Sequence, residues 1–387
     1  MHATRRLDVV RVGEILAACP TPASRAELLA RGDGDGWTAL HLACNPRDEL
    51  YEERALALVE LLLGAGADPR ARARFHDTGA EFQPIHYAAR WSARLVQRLV
   101  QAGASIDGDA AGASTLRSAA SACTAVGVCM IPALVALGTR ETLGGRVMHD
   151  FAASPVKGDP PSDGDVAAAL TALVSVGCSL TRPHVNGWSP LDWAADQGNA
   201  PVVLALLGLG VTATAKSLAH AVAHPSVVRL LLAAGASAGE LVRCVPAEAN
   251  TTPLMQAAGK AVLESVQLLL GAGASLFHRN QRGETALMWA LGSSSTDVAA
   301  VLSVVGALLL AGADVYARDL AGNTPLHHLT IRSHDKPWAA AAARLLRDSG
   351  ADGRIKNEAG KTPALAVPVA ARGGELYRLL LEAAAGA

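Results

Sequence analysis

Several short strings in this 387-residue chain carry the residue types of catalytic or binding sites. Gly235-Ala236-Ser237-Ala238-Gly239 spells G-x-S-x-G, the pattern of a sharp strand-to-helix turn that exposes a serine nucleophile. Gly360-Lys361-Thr362 matches the end of a phosphate-binding loop. His220 and His224 stand four apart, the spacing at which two imidazoles on one helical face share a zinc ion. Each lacks something its chemistry needs. Ser237 follows a Leu-rich helical run rather than a strand, Ile355 stands where the phosphate loop requires glycine, and His-Ala-Val-Ala-His has no glutamate and no third ligand nearby. His327, His328 and His334 are similarly incomplete, and Arg31-Gly32-Asp33, an adhesion tripeptide by its letters, reads as a turn. No metal and no cofactor is expected. One enzymatic alternative stays open: His149, Asp150, Asp163 and Asp165 bring titratable groups to the stretch from Gly108 to Pro161 and just beyond, although no spacing gives them roles.

Composition narrows the classes further. With 34 Lys plus Arg against 35 Asp plus Glu, the net charge of −1 argues against a sequence-independent grip on nucleic acid. Half the residues are hydrophobic and only 4% aromatic, which suits close helix-on-helix packing better than a sandwich or barrel. The six cysteines are scattered, with no C-x-x-C pair, and read as thiols in a reducing, intracellular compartment, cytoplasmic with the nucleus left open. Charges at Arg5, Arg6, Asp8, Arg11 and Glu14 leave no room for a signal-peptide core. Ser118 to Thr139 has no charged residue, but its Ala, Ser, Thr and Gly content and Pro132 argue against a membrane span.

The elements that would position any site come from a repeat. One phrase recurs as GWTALHLA from Gly36, QPIHYAA from Gln83, GWSPLDWAA from Gly187, TTPLMQAA from Thr251, GETALMWA from Gly283, GNTPLHHL from Gly322 and GKTPALAV from Gly360. A second phrase follows, as in LVELLLGAGAD (Leu58 to Asp68) and VQLLLGAGAS (Val266 to Ser275). Thr or Ser before Pro is a helix start, because the hydroxyl caps free amides and Pro lacks the amide that would be orphaned there. The Leu run has helical spacing, and Gly-Ala is a left-handed helix stop. The glycine of that stop recurs at 66, 103, 138, 177, 210, 235, 273, 312 and 350.

These phrases resemble the ankyrin repeat, whose T-P-L-H-x-A signature and period near 33 residues they match. The resemblance implies an all-α solenoid of nine to ten helix-turn-helix units with short hairpin-like fingers. Residues 1–33 are expected to form a helical N-terminal cap and 34–387 the array, with degenerate units around 105–180 and 211–240. Extra residues between the two helices, as in NPRDELYEER, SPVKGDPPSDGD, GSSSTD and RSHDKPW, predict longer surface turns or helical extensions. His41, His86 and His327 hold the signature position, where the family's imidazole bonds within the repeat. Trp193, Trp289 and Tyr87 follow that position and are expected in the core.

The resemblance implies noncatalytic protein binding by a scaffold or adaptor, on a concave groove lined by fingers and helix ends. The residues this places at the groove are Asp35, Trp37, Phe82, Arg90, Trp91, Trp188, Asp196, Gln197, Gln281, Arg282, Glu284, Leu320, Asn323, Glu358 and Lys361, with Lys260 beside them. Aromatics and arginines on such a strip are the usual anchors of an interface. Arg70, Arg72 and Arg74 alternate, so an extended finger would put three guanidiniums on one side for an acidic partner. The expectation is a monomer that binds a protein, with no nucleic acid and no membrane. The alternative is an enzyme or enzyme-regulating subunit with its site in the degenerate central repeats.

Overall fold

Threonine ahead of proline opens helices where the sequence places them. In the computed structural model, which describes residues 4, 8–45, 52–74, 81–107, 114–122, 125–139, 146–154, 161–242 and 250–385, Thr252, Thr324 and Thr362 are N-caps of helices that begin at Pro253, Pro325 and Pro363. Among the described residues there are 22 α-helices. A leading pair, α1 (Val9–Ala17) and α2 (Pro22–Ala30), precedes ten pairs in which a short helix A is followed by a longer helix B. Pairs one to three are α3 (Ala39–Ala43) with α4 (Glu52–Gly64), α5 (Pro84–Ala88) with α6 (Ala93–Gln101), and α7 (Thr115–Ala122) with α8 (Ala125–Ala136). Pairs four to six are α9 (Arg146–Ala153) with α10 (Asp163–Ser175), α11 (Pro190–Asp196) with α12 (Ala200–Gly208), and α13 (Ala215–His220) with α14 (Pro225–Ala233). Pairs seven and eight are α15 (Pro253–Gly259) with α16 (Leu263–Gly271) and α17 (Ala286–Leu291) with α18 (Val298–Leu310). Pairs nine and ten are α19 (Pro325–Arg332) with α20 (Ala339–Asp348) and α21 (Pro363–Ala366) with α22 (Glu375–Ala385).

The chain forms two compact units, Met1–Ala194 with Leu204–Val211 and Ala195–Val203 with Thr212–Ala387. In the first, α3 packs on α5, α5 on α7 and α7 on α9, while α4 packs on α6, α6 on α8 and α8 on α10. In the second, α15 packs on α17, α17 on α19 and α19 on α21, while α16 packs on α18, α18 on α20 and α20 on α22. Helix B carries the stripe that drives this. Ala55, Leu58, Val59 and Leu62 of α4 are buried, as are Val301, Val304, Val305 and Leu308 of α18, both at i, i+3, i+4 and i+7. Each large side chain so buried contributes about 1.5–3 kcal/mol.

The nine helix-ending glycines all adopt φ between 82 and 97°. Gly138, Gly177 and Gly235, in the units whose wording is weakest, do so at 93, 93 and 86°. Gly235 therefore stops α14, and Ser237 sits on no nucleophile elbow. His220 ends α13 and His224 is the N-cap of α14 beyond a 3-10 turn, so the single helical face expected for that pair does not form. Ser118 to Thr139 is divided between α7 and α8, and no helix among the described residues is long and apolar enough to cross a membrane.

The fingers are less strand-like than expected. Among the described residues one two-residue ladder forms, β1 (Ala73–Arg74) against β2 (Glu81–Phe82), antiparallel with Ala73 opposite Phe82. Other fingers close on side-chain turns: the Asn280 carboxamide oxygen accepts from the Arg282 and Glu284 amides at 2.9 Å each, and the Asp319 carboxylate accepts from Ala321 and Asn323. Successive fingers then bond directly, Leu320 N–H to the Arg282 carbonyl at 2.9 Å and Glu358 N–H to that of Ala321 at 3.0 Å. Gly283 and Gly322 permit the approach. A side chain there would meet the Leu320 and Glu358 nitrogens at 2.9 Å, and both glycines hold positive φ.

The inserted segments divide into the two forms expected. Helix B is nine residues long in α6, α12, α14 and α16 and thirteen in α4, α10 and α18, so one added turn takes up about four residues of each insertion. The remainder of the first two insertions lies partly outside the described residues. In pair nine the surface-turn reading needs correction, because Trp338 is fully buried and its indole donates to the Ser295 carbonyl in the insertion of pair eight at 3.0 Å.

Candidate functional site

Two signature histidines, His41 and His327, tie their helix A to the next finger. Thr38 N–H donates to His41 Nδ1 at 3.2 Å, which fixes the proton on Nε2, and Nε2 donates to the Phe82 carbonyl at 3.1 Å. His327 repeats this with Thr324 and the Lys361 carbonyl at 2.9 Å. Burial pushes both imidazoles below their ordinary pKa, against the opposing pull of the carbonyls they bond. Neutral rings are what these bonds require, since a proton on Nδ1 would face a backbone donor.

On this scaffold the second unit forms a groove of about 560 Å³ along the helix-A ends of pairs seven to nine. Its floor is organised by Glu284. The carboxylate is 3% exposed, accepts from the Asn280 amide at 2.7 Å and the Trp289 indole at 3.0 Å, and pairs with Arg332 at 2.5 Å. Gly259 and Gly292 let the large side chains lie close: a Cβ on Gly259 would meet the Trp289 ring at 3.2 Å, and one on Gly292 would meet Arg332 Cδ at 3.1 Å. Lys260 and Arg282 line the same groove, exposed. A second hollow of about 350 Å³ shares Gln281, Arg282, Glu284 and Arg332 and adds Leu320, 77% exposed, and Ile331, 50% exposed. Beneath it His328 Nε2 donates to Asp319 at 2.9 Å. Burial, reinforced by Arg332, lowers the His328 pKa. Burial works to raise Asp319, but hydrogen bonds from Asn323 and the His328 contact outweigh it and hold the carboxyl low.

The structure brings together Gln281, Arg282, Glu284, Leu320 and Asn323 of the expected set at this joined groove. Two of them change role. Glu284 is buried floor rather than finger contact, because three donors converge on it, and Asn323 is buried between Asp319 and the Asn357 amide. Glu358 and Lys361 are exposed on the following finger. Trp289, expected in the core, is half-buried and lines the groove. Arg332, Ile331, Gly259 and Gly292 were not singled out by sequence. Arg332 and Lys260 stand five residues after His327 and Met255, so a shared register was the available signal, hidden because Leu329-Thr330 replaces the Ala-Ala wording.

Elsewhere the expected residues are spread. In the first unit Trp37 packs on Tyr87 with ring centres 4.6 Å apart, Phe82 on Tyr87 at 5.9 Å, and Trp188 on Trp193 at 4.7 Å, all half-buried except Tyr87, which is buried. Asp35 is half-buried and its carbonyl accepts the Arg74 amide. Arg90 is exposed, whereas the Trp91 indole donates to the Cys44 carbonyl at 2.8 Å. Asp196 and Gln197, in the second unit, bond each other. The row of three arginines does not form: Arg70 lies in a turn and donates to the Gly103 carbonyl, while Arg72 and Arg74 share Glu81 at 3.1 and 3.6 Å. In the central stretch, part of which lies outside the described residues, Asp150 pairs with Arg117, Asp163 and Asp165 open α10, and His149 packs edge-on to His184.

The model of the family described as ankyrin repeats (3 copies) matches residues 217–307, and that described as ankyrin repeat matches 35–74. Ankyrin repeat and SOCS box protein 16 of Mus musculus is 33% identical over 240 residues, 51% of each chain, so the chain matches about half the length of this relative. The crystal structure of the human ASB11 ankyrin repeat domain aligns with a TM-score of 0.47 at 23% identity, over 61% of this chain and 96% of that one. The recurring cap, histidine and glycine, met by both family models, show that this chain carries ankyrin repeats.

Proposed function

We propose that this chain is a noncatalytic adaptor that holds a protein partner along the groove of pairs seven to nine. Ankyrin repeats are in general protein-interaction modules. The observation that carries the finer reading is the contrast within the groove: a floor locked by Glu284, and above it Arg282, Lys260 and Leu320 exposed. A preordered floor keeps the entropy cost of association low, and a partner spanning both hollows and neighbouring fingers would bury an ordinary interface of about 1,200–2,000 Å². Cys44 and Cys178 are buried, as suits thiols in a reducing, intracellular setting.

Photo-crosslinking tests this reading. A benzoyl-phenylalanine placed at Leu320 or Gln281 is expected to trap a protein from native extract, whereas the same probe at Val185, 90% exposed in the first unit, is not. Equal trapping at all three positions, or trapping only at Val185, defeats it.

A further inference from the structure

Charge is distributed unevenly in the groove of pairs seven to nine. Its two carboxylates are withdrawn: Glu284 is 3% exposed and paired with Arg332, and the Asp319 side chain is 8% exposed beneath His328. Its cations face solvent. Lys260 and Arg282 are exposed with no side-chain partner among the described residues, and Arg332, one third exposed, spends one nitrogen on Glu284. A chain of net charge −1 thus presents a local cationic strip whose own acids are already neutralised. Apolar surface stands on both sides of that strip, the Trp289 ring in one hollow and Leu320 with Ile331 in the other, while Arg282 and Arg332 line both.

We infer that this groove takes an acidic polypeptide segment in which apolar side chains flank the carboxylates. The inference rests on the groove reading above and specifies the chemistry of the partner. Carboxylates suit Arg282 and Arg332 because guanidinium donors reach acceptors in a planar fork. Arg332 is held ready by the Glu284 pair and by its close fit over Gly292, so little side-chain freedom is lost when it binds. Apolar flanks of the segment then cover Trp289 and Leu320, anchoring what charge alone would leave salt-sensitive. A nucleic acid fits less well, since three cations neutralise few phosphates.

The experiment is a selection of random twelve-residue peptides on the intact chain, followed by fluorescence anisotropy with the enriched peptides at low and high salt. Lys260→Glu with Arg282→Glu removes the charge, Leu320→Ala removes an apolar flank, and matching thermal melts show that both variants fold. Enriched peptides should be net negative with apolar neighbours, bind the double variant at least ten-fold more weakly, and weaken several-fold as salt rises. Neutral or basic peptides that still depend on Leu320 overturn the acidic chemistry and leave the groove reading standing. Peptides indifferent to both variants overturn both, as does failure to enrich any. A twelve-nucleotide poly-U probe that binds more tightly than every enriched peptide, and loses binding in the double variant, overturns the polypeptide assignment.

Discussion

Glu284 is the residue on which the groove depends, and removing it separates structure from binding. Glu284→Ala leaves the Trp289 indole, the Asn280 amide and the Arg332 guanidinium without their acceptor. Urea denaturation should show a loss of about 3 kcal/mol. Arg282→Ala, on the solvent side of the same groove, should change stability by less than about 0.5 kcal/mol. The histidines give a pH dependence with a definite sign. Because His41, His327 and His328 are held below their ordinary value of 6.5, the unfolded chain takes up protons first as pH falls. Their stabilisation is complete above about pH 6.5 and declines as pH drops toward the lowered folded values. The urea midpoint should therefore fall between pH 7 and pH 5.5, and His41→Asn with His327→Asn should flatten that slope. That His41 bonds within its repeat was legible through the resemblance to the ankyrin signature. The role of Glu284 was not, because its partner Arg332 is 48 residues away and only packing of α17 on α19 brings the two together.

At the scale of elements, the chain's punctuation was readable and its insertions only half so. Thr-Pro starts and nine Gly stops act through local backbone preference, so they needed no tertiary information to be placed. The extra residues between helices A and B could be counted in advance, but the destination of Trp338 was set by a carbonyl one repeat earlier. Trp338→Ala should cost about 3–5 kcal/mol by thermal or urea unfolding, the loss expected for a large aromatic removed from a closed site. The glycines at the groove, Gly259 and Gly292, are as specific. Gly259→Ala has no backbone penalty in a helix, yet its methyl group meets the Trp289 ring at 3.2 Å. It should shift the tryptophan fluorescence of the folded chain while changing stability little.

Across the whole molecule, stability is a sum of repeat terms and contacts between neighbours, because in pairs one to four and pairs six to ten helix A and helix B pack on their counterparts in the next pair. Damage should accordingly stay local. In native-state hydrogen exchange, Trp338→Ala is expected to lower protection in pairs eight to ten while pairs one to three keep theirs; uniform loss along the chain would contradict nearest-neighbour coupling. The histidine bonds add a direction to this arrangement. His41 donates to a carbonyl 41 residues later and His327 to one 34 residues later. During synthesis at about 5–20 residues per second, the acceptor for each imidazole is therefore made about 2 to 8 s after the imidazole itself. The repeats that hold His41 and His327 must each wait that long for this hydrogen bond, so each leaves the ribosome one bond short until the next finger follows.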